Sequence, residues 1–274
     1  MSKVLLIDGL NFIYRANVGF KPKDKSTIDY TIVYNLFRNL RATIEQFSPT
    51  NVFFCLEGKN NFRYKLFADY KANRIIKTGV ENKSYKKENF IRQADIVINL
   101  LPYLPVISVK ADGYEADDVI ATLADNLKEE DTIIISTDTD YIQLLQKDLP
   151  RLQIYNPTPK EFIFPPDYHY LTYKILAGDT SDNIPSITNK EVAIELASDP
   201  KKLLNYLNNQ EKQSNYKLNY SLINLQPIDN DLLQFTDYKV NYNLLKEEFV
   251  KMGFPSMVEE KYWERFVETF ESIR

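Results

Sequence analysis

Hydrophobic residues in the first part of the chain fall in short runs that alternate with longer amphipathic segments. The runs that predict strands are residues 3–8, 51–56, 105–109 and 132–136. They are β-branched or aromatic and apolar almost throughout, which is typical of strands covered on both faces. The helical patterns between them lie at about 28–47, 89–101 and 115–129. This alternation predicts an α/β fold with a mostly parallel sheet flanked by helices.

The pattern changes to helices from about residue 166. The four helical segments are 168–178, 190–198, 244–254 and 259–270. Residues 205–243 are rich in Asn, Gln, Leu and Tyr and do not predict a definite element. We therefore expect an α/β domain at 1–165 and a helical region at 166–274.

Charge is unevenly distributed along the chain. The net charge of −4 argues against a nucleic-acid partner, whose binding depends on neutralising phosphates. Residues 59–92, however, hold ten basic residues against three acidic ones, interleaved with aromatic residues. Such a segment is either a solvated charged face or a surface that holds phosphates and stacks bases.

The rare residue types restrict the chemistry. A single cysteine excludes a disulfide framework and fits the cytoplasm, or a host's cytoplasm if a phage encodes the chain. A single histidine excludes a histidine-rich zinc site. Any metal is then held by oxygen, which favours Mg²⁺ or Mn²⁺. No GxGxxG or GxxxxGK[ST] motif predicts a nucleotide site, and no apolar run predicts a membrane helix.

Carboxylates follow every predicted strand. They are Asp8, Glu57, Glu115, Asp117, Asp118, Asp138 and Asp140, with Asp179 and Asp182 further along. Residues 115–118 also suit the first turn of a helix, but the carboxyl ends of parallel strands meet at one edge, so we expect these groups to gather. Gathered carboxylates repel one another, by roughly 4 kcal/mol for two charges ~4 Å apart. Two divalent metals would relieve this and suit phosphodiester hydrolysis.

Five segments together carry a resemblance to a known family. They are LLIDGLNFIYRA, FRYKLFADYKANR, ADGYEADDVIATLA, STDTDYIQLL and GDTSDNIP. In this order they resemble the structure-specific 5′-nuclease (flap endonuclease) family, which includes the 5′-nuclease domain of DNA polymerase I and phage 5′-exonuclease or RNase H-type enzymes. The resemblance implies a PIN-like (Rossmann-like) fold, a helical arch at about 70–95, and a modified helix-turn-helix in a duplex-binding region at 166–274.

The resemblance also implies an activity and its ligands. We expect a 5′-3′ exonuclease and flap endonuclease that removes replication primers or flaps with two Mg²⁺ ions. By position, Asp8, Glu57 and Asp117 would hold the first ion. The second would lie among Asp138, Asp140, Asp179 and Asp182. Glu115 and Asp118 would act through water.

The basic residues at matching positions are expected to contact nucleic acid. Lys71 and Arg74, three apart on one helical face, would face the scissile phosphate as catalytic residues. The expected nucleic-acid contacts are Arg15, Tyr70, Lys71, Arg74, Lys83, Lys86, Lys87, Lys174 and Lys190. Tyr70 either stacks on a terminal base or belongs to the core.

Two positions depart from the family pattern. Glu57 stands where the family usually has Asp, and SITNKEVAIELA replaces a glycine-rich hairpin that binds K⁺. We therefore expect no potassium site, and duplex binding through Lys190 and its neighbours.

Two other functions stay open. One is a nuclease-inactive protein that binds junctions, and the other is a PIN-type ribonuclease. A DxDxT phosphatase is disfavoured because DGLN lacks the second Asp. The expected partners are branched, nicked or flapped DNA, RNA–DNA hybrid, and a separate polymerase or single-strand-binding protein. We expect a monomer without a membrane association.

Overall fold

The computed structural model describes residues 2–18, 29–73 and 82–273, and within 82–86 only the backbone. The strands of the described residues are β1 (Lys3–Asp8), β2 (Asn51–Cys55), β3 (Ile107–Lys110), β4 (Asp131–Ile135), β5 (Leu152–Asn156), β6 (Glu161–Ile163) and β7 (Gln234–Thr236). They form one seven-stranded sheet in the order β6-β5-β4-β1-β2-β3-β7.

Helices cover both faces of this sheet. The helices that precede β4 in the chain are α1 (Gly9–Val18), α2 (Thr31–Phe47), α3 (Arg63–Leu66), α4 (Asn82–Leu100) and α5 (Ala116–Asn126). Those that follow β6 are α6 (Tyr170–Ala177), α7 (Lys190–Ser198), α8 (Pro200–Tyr206), α9 (Gln210–Ile223), α10 (Tyr242–Lys251), α11 (Pro255–Val258) and α12 (Glu260–Glu271).

The centre of the sheet is parallel. β1 pairs with β2 and with β4, and β2 pairs with β3. Asp8 lies opposite Cys55, and Ile7 lies opposite Ile135, so the carboxyl ends of β1, β2 and β4 lie at one edge. Only β6 and β7, at the two margins, run antiparallel to their neighbours. The predicted mostly parallel α/β sheet is confirmed.

Alternation along β1 gives the sheet two apolar faces. Leu5 and Ile7 pack in a core with α2, α4 and the helices after residue 241. Val4 and Leu6 point to the other face, where Val119 and Leu123 of α5 cover them. Side chains alternate between faces along a strand, so a central strand with apolar residues at every position requires helices on both sides.

The second half of the chain is more closely joined to the sheet than its helical pattern suggests. β7, from the segment without a predicted element, pairs with β3. Phe249 of α10 and Phe266 of α12 are fully buried in the same core as Leu5. The division at 165/166 and the helix-turn-helix stay predictions. In the described part of the chain, no helix is both long enough and apolar enough to cross a membrane.

Candidate acidic site

A cavity of about 220 Å³ opens at the carboxyl edge of the sheet. Its lining is Asp8, Leu10, Asn11, Tyr14, Glu57, Lys71, Glu115, Ala116, Asp117, Asp138 and Tyr141. Five of the nine carboxylates expected from the sequence therefore line one space, although they come from segments far apart in the chain. Asp118, Asp140, Asp179 and Asp182 lie outside this lining.

Asp8 is the buried wall of the cavity. It ends β1, and its carboxylate accepts hydrogen bonds from the Asn11 amide at 3.1 Å, Ser136 Oγ at 2.9 Å and the Tyr141 hydroxyl at 3.1 Å. Burial raises the pKa of Asp8 to about 6, although these hydrogen bonds partly oppose the shift. The site thus holds a carboxylate whose negative charge is only partly compensated by the protein.

Two loops fix the position of Glu57. The Gly58 amide donates to the Tyr114 carbonyl at 3.0 Å, and the Gly113 amide donates to the Lys59 carbonyl at 2.6 Å. A Cβ on Gly58 would lie 1.8 Å from the Ala111 carbonyl oxygen, so only glycine permits this approach. Glu57 is exposed at the cavity rim, next to the start of α5.

The start of α5 holds three carboxylates in different environments. Glu115 is the N-cap, and it forms a capping box with Asp118. Asp117 lines the cavity, and its pKa is well above the ordinary value because of burial and the charges of Asp118 and Glu115. Both sequence interpretations of this cluster therefore apply, since it caps a helix and also faces the cavity.

Asp118 does not face the cavity. Its two oxygens accept hydrogen bonds from Arg63 Nη1 at 2.6 Å and Nη2 at 2.8 Å, and both side chains are almost completely buried. Burial would lower the pKa of Arg63, but the hydrogen bonds and charge of Asp118 raise it above the ordinary value. The expected action of Asp118 on a metal through water stays a prediction, while both of its oxygens are bonded to Arg63. Nothing in the sequence distinguishes Arg63 from the other nine basic residues between positions 59 and 92.

A second acidic group lies beyond the end of β4, around Lys174. Lys174 Nζ lies 2.8 Å from Asp140 Oδ1 and donates to Asp179 Oδ2 at 2.6 Å. Burial and the charge of Asp138 raise the pKa of Asp140 to about 7. Burial would also raise the pKa of Asp179, but hydrogen bonds from Lys174 and Ser181 lower it to about 2. Lys174 therefore pairs with carboxylates here, in the place where the sequence predicted a phosphate contact.

Lys71 links the cavity to the turn at residues 179–183. Its ammonium donates to Glu115 and lies 3.9 Å from Asp182 Oδ2, while its amide donates to the Asp182 carbonyl at 2.8 Å. Lys71 has a positive φ of 58°, a conformation that costs a non-glycine residue about 1–2 kcal/mol. These contacts hold the ammonium at the mouth of the cavity.

Tyr70 belongs to the core of this region. Its side chain is 3% exposed and packs with Ile175, Ile184 and Leu222. The hydroxyl donates to Glu115 Oε2 at 2.9 Å and lies 3.3 Å from Asp182 Oδ2. A ring this buried cannot stack on a base, so the core alternative describes its position.

The remaining basic residues lie at varied places. Arg15 donates to the Pro157 carbonyl at 3.1 Å beside the cavity, and Lys87 and Lys190 are exposed. Lys83 and Lys86 lie on α4, but their side chains are not among those described, and Arg74 lies outside the described residues. Their nucleic-acid contacts stay predictions.

The donor types of the cavity fit a divalent metal, but its ligands are not drawn together. Carboxylate oxygens are the ligands that Mg²⁺ and Mn²⁺ prefer, and the raised pKa of Asp8 reflects negative charge that a cation would stabilise. In the residues described, no group of three Asp, Glu, His or Cys side chains is arranged so that it could hold a metal ion.

The fold and the cavity define a class: an α/β protein with an acidic cavity at the carboxyl edge of a mostly parallel sheet. Residues 3–169, more than half of the chain, match the family described as "5′-3′ exonuclease, N-terminal resolvase-like domain". The chain belongs to this family.

Several relatives share this sequence or fold. The 5′-3′ exonuclease of Bacillus subtilis is 31% identical over 212 residues, which are 68% of this chain and 66% of that protein. DNA polymerase I of Streptococcus pneumoniae is 30% identical over 245 residues, which are 81% of this chain and 27% of that protein. The chain thus spans about two thirds of the exonuclease and about a quarter of the polymerase.

Solved structures share the fold. The bacteriophage T5 D15 protein, co-crystallised with metal ions, superposes with a TM-score of 0.64 at 17% identity, covering 97% of this chain and 99% of that one. Human GEN1 in complex with Holliday junction DNA gives a TM-score of 0.58 at 16% identity, covering 98% of this chain and 72% of that one. The expected fold class, that of the 5′-nucleases, is confirmed.

Proposed function

We propose that the protein is a divalent-metal-dependent 5′ nuclease. It hydrolyses phosphodiester bonds near the 5′ ends of branched, nicked or flapped DNA, or of RNA–DNA hybrid. The observation that carries the proposal is the convergence of Asp8, Glu57, Glu115, Asp117 and Asp138 on one cavity beside Lys71. Such a set of anionic oxygens next to a cation suits a phosphodiester held between metal ions and basic side chains.

The cavity residues would have separate roles. Asp8, Glu57 and Asp117 would hold one ion, and Asp138 would hold a second together with Asp140, Asp179 and Asp182. Two divalent ions bound there would activate the attacking water and neutralise charge on the leaving oxygen. Glu115 would contribute its charge and keep Lys71 at the cavity mouth.

Lys71 and Lys174 would exchange partners when substrate binds. Each ammonium is paired with carboxylates, Lys71 with Glu115 and Lys174 with Asp140 and Asp179. Lys71 would turn from Glu115 to a phosphate oxygen, because a phosphate offers the same charge-assisted hydrogen bond. Lys174 would yield Asp140 and Asp179 to the second ion. Arg74, Lys83, Lys86, Lys87, Lys190 and Arg15 would hold the rest of the nucleic acid backbone.

The finer assignments are part of the same proposal. We assign Mg²⁺ as the ion and a monomer as the working form. A separate polymerase or single-strand-binding protein is the partner, and primer or flap removal is the task. The arch would let a single-stranded 5′ end pass beneath it.

The test is a Mg²⁺-dependent digestion of labelled substrates. Flapped, nicked and single-stranded DNA, and the same flap with RNA at its 5′ end, are incubated with Mg²⁺ or with EDTA. We expect cutting near the 5′ end of the branched substrates only with Mg²⁺. The control variant Val250→Ala changes an exposed side chain of α10 that is not part of the cavity lining, and should cut as wild type does. Equal cutting in EDTA, or none on any substrate, contradicts the proposal.

The sequence leaves a second function open, that of a nuclease-inactive junction-binding protein. The double variant Asp138→Asn with Asp140→Asn separates the two functions. A nuclease loses cleavage in this variant but keeps flap binding, whereas a binder shows no cleavage in either form.

A further inference from the structure

The segment from Leu222 to Ile228, here called the strap, begins in the last turn of α9 and runs past α3, α5 and the turn after β4. It forms no strand, so its backbone groups need other partners. Three of its amides find them in side chains of α5 and of the turn after β4. The Leu225 amide donates to Gln143 Oε1 at 3.2 Å, the Gln226 amide to Asp118 Oδ1 at 2.8 Å, and the Ile228 amide to Thr122 Oγ1 at 3.0 Å.

Arg63 fixes the same segment through its carbonyl groups. Its Nε donates to the Leu222 carbonyl at 2.8 Å, and its Nη2 lies 3.3 Å from the Asn224 carbonyl. Gln143 Nε2 also lies 3.3 Å from the Ile223 carbonyl. The strap is therefore bonded to α3, to α5 and to the turn after β4, which are the elements that carry or flank the acidic groups.

All hydrogen-bond acceptor positions of the Asp118 carboxylate are occupied in this arrangement. A carboxylate has about four positions at which it accepts hydrogen bonds. Oδ1 accepts from Arg63 Nη2 and the Gln226 amide, and Oδ2 accepts from Arg63 Nη1 and the Glu115 amide at 3.2 Å. No position is left for a metal ion, and the side chain is 0% exposed.

The contacts of Asp118 connect the strap to the cavity. Its bond to the Glu115 amide sets the backbone where α5 begins, and Glu115 and Asp117 both line the cavity from that turn. Gln143 makes a parallel connection, since its Nε2 donates to the Asp140 carbonyl at 2.9 Å. A displacement of the strap would therefore move carboxylates on two elements, the cavity residues Glu115 and Asp117 at the start of α5 and Asp140 after β4.

We propose that Arg63, Asp118 and the strap form a positioning device that sets the cavity carboxylates, with Asp118 acting through its bonds to Arg63 and the Glu115 amide and not as a metal ligand. The inference rests on the proposed function. It goes beyond that function in giving residues 222–228 a role in the geometry of the site. Substitution of residues that hydrogen-bond to metal ligands typically changes metal affinity 10–100-fold, so the effect on metal binding is measurable.

Mn²⁺ affinity, measured by electron paramagnetic resonance without DNA, tests the chain of contacts. The variants are Arg63→Lys, Asp118→Asn and the two combined, each verified as folded by circular dichroism. We expect each single variant to weaken Mn²⁺ binding about 10-fold, and the double variant to match the singles within about twofold, because both substitutions break one device. Additive losses, or a loss in Asp118→Asn with none in Arg63→Lys, overturn the proposal.

Hydrogen exchange of the strap amides gives a readout that does not depend on activity. Protection of the Leu225 and Gln226 amides should fall at least tenfold in Asp118→Asn and in Gln143→Met. The second variant removes the hydrogen bonds between Gln143 and the strap and leaves Arg63 and Asp118 unchanged. The control variant Ser221→Ala removes a hydroxyl that bonds its own helix, at the Lys217 carbonyl, and should leave protection unchanged. Unchanged protection in both strap variants contradicts the proposal.

Kinetics separates positioning from general destabilisation. At saturating flap DNA, Gln143→Met should lower the single-turnover cleavage rate about tenfold, with DNA affinity in Ca²⁺ unchanged within threefold. An unchanged cleavage rate in Gln143→Met, despite lost protection, overturns the positioning role. If the wild type cuts no substrate, the proposed function fails, and exchange and Mn²⁺ binding still decide whether the strap sets the site.

Discussion

The two carboxylates that share Lys174 should respond in opposite ways to loss of their charge. Asp140→Asn removes a group whose pKa is raised from 3.8 to about 7 by burial and the charge of Asp138. Asp179→Asn removes a group whose pKa lies at about 2, since hydrogen bonds from Lys174 and Ser181 outweigh its burial. In Asp140→Asn, Lys174 keeps Asp179 as its partner at 2.6 Å. The two substitutions therefore form a matched pair around one ammonium.

The magnitudes follow from proton linkage. A raised folded-state pKa means that ionised Asp140 opposes folding, and this cost grows as pH rises from the unfolded value of 3.8 to about 7. Of the interval from pH 5 to pH 8, about 2 pH units lie below the folded-state pKa of Asp140. The free-energy cost of its ionisation therefore grows by about 3 kcal/mol over this interval. A lowered pKa means that ionised Asp179 favours folding, by about 1 kcal/mol once solvent screening of this partly exposed group is allowed for. This contribution is present above pH 4 and is lost as pH falls toward 2.

Urea unfolding in EDTA at pH 5 and pH 8 measures both effects. Asp140→Asn should gain stability relative to wild type by about 3 kcal/mol more at pH 8 than at pH 5. Asp179→Asn should lose about 1 kcal/mol at both pH values. A pH-independent difference for Asp140→Asn, or a gain for Asp179→Asn, would refute the reasoning that the protein retains a destabilising charge at this site.

Three further predictions concern the core, the loops and the metal. Phe249→Ala should cost about 3–5 kcal/mol in urea unfolding, because Phe249 is fully buried, whereas the exposed neighbour Val250→Ala should cost under about 0.5 kcal/mol; equal effects would show that α10 does not share the core. Gly58→Ala should cost about 1–3 kcal/mol and slow flap cutting, since its Cβ meets the Ala111 carbonyl; wild-type stability and rate would contradict the close loop contact. Mg²⁺ should raise the melting temperature more at pH 8 than at pH 5, because Asp8, with a pKa of about 6, is protonated at the lower pH; calorimetry showing the reverse would argue against binding at Asp8.

Strand positions could be predicted because central strands leave a strong signal. β1, β2 and β4 are buried on both faces and appear as nearly unbroken apolar runs, and the observed bounds differ from the predicted ones by one residue at most. β7 left no such signal, since Gln234–Thr236 is exposed at every position and is held by backbone bonds to β3. A short edge strand of this kind is defined by its partner and not by its own sequence.

The acidic site could be predicted in outline for a related reason. The carboxylates follow strands, and parallel strands bring their carboxyl ends to one edge. The role of Asp118 could not be predicted in this way, because its partner Arg63 lies 55 residues away. Periodicity carries no information about such a contact. The same limit applies to Lys174, whose pairing with Asp140 depends on how α6 packs against the turn after β4.

Anomalous diffraction from crystals soaked in Mn²⁺ tests the central claim most directly, because it locates the ions relative to Asp8, Asp117 and Asp138. We expect two anomalous peaks in the cavity, the first contacting Asp8 or Asp117 and the second contacting Asp138 or Asp140. A saturated crystal with no peak in the cavity, from protein that cuts flap DNA in Mn²⁺, would contradict the account.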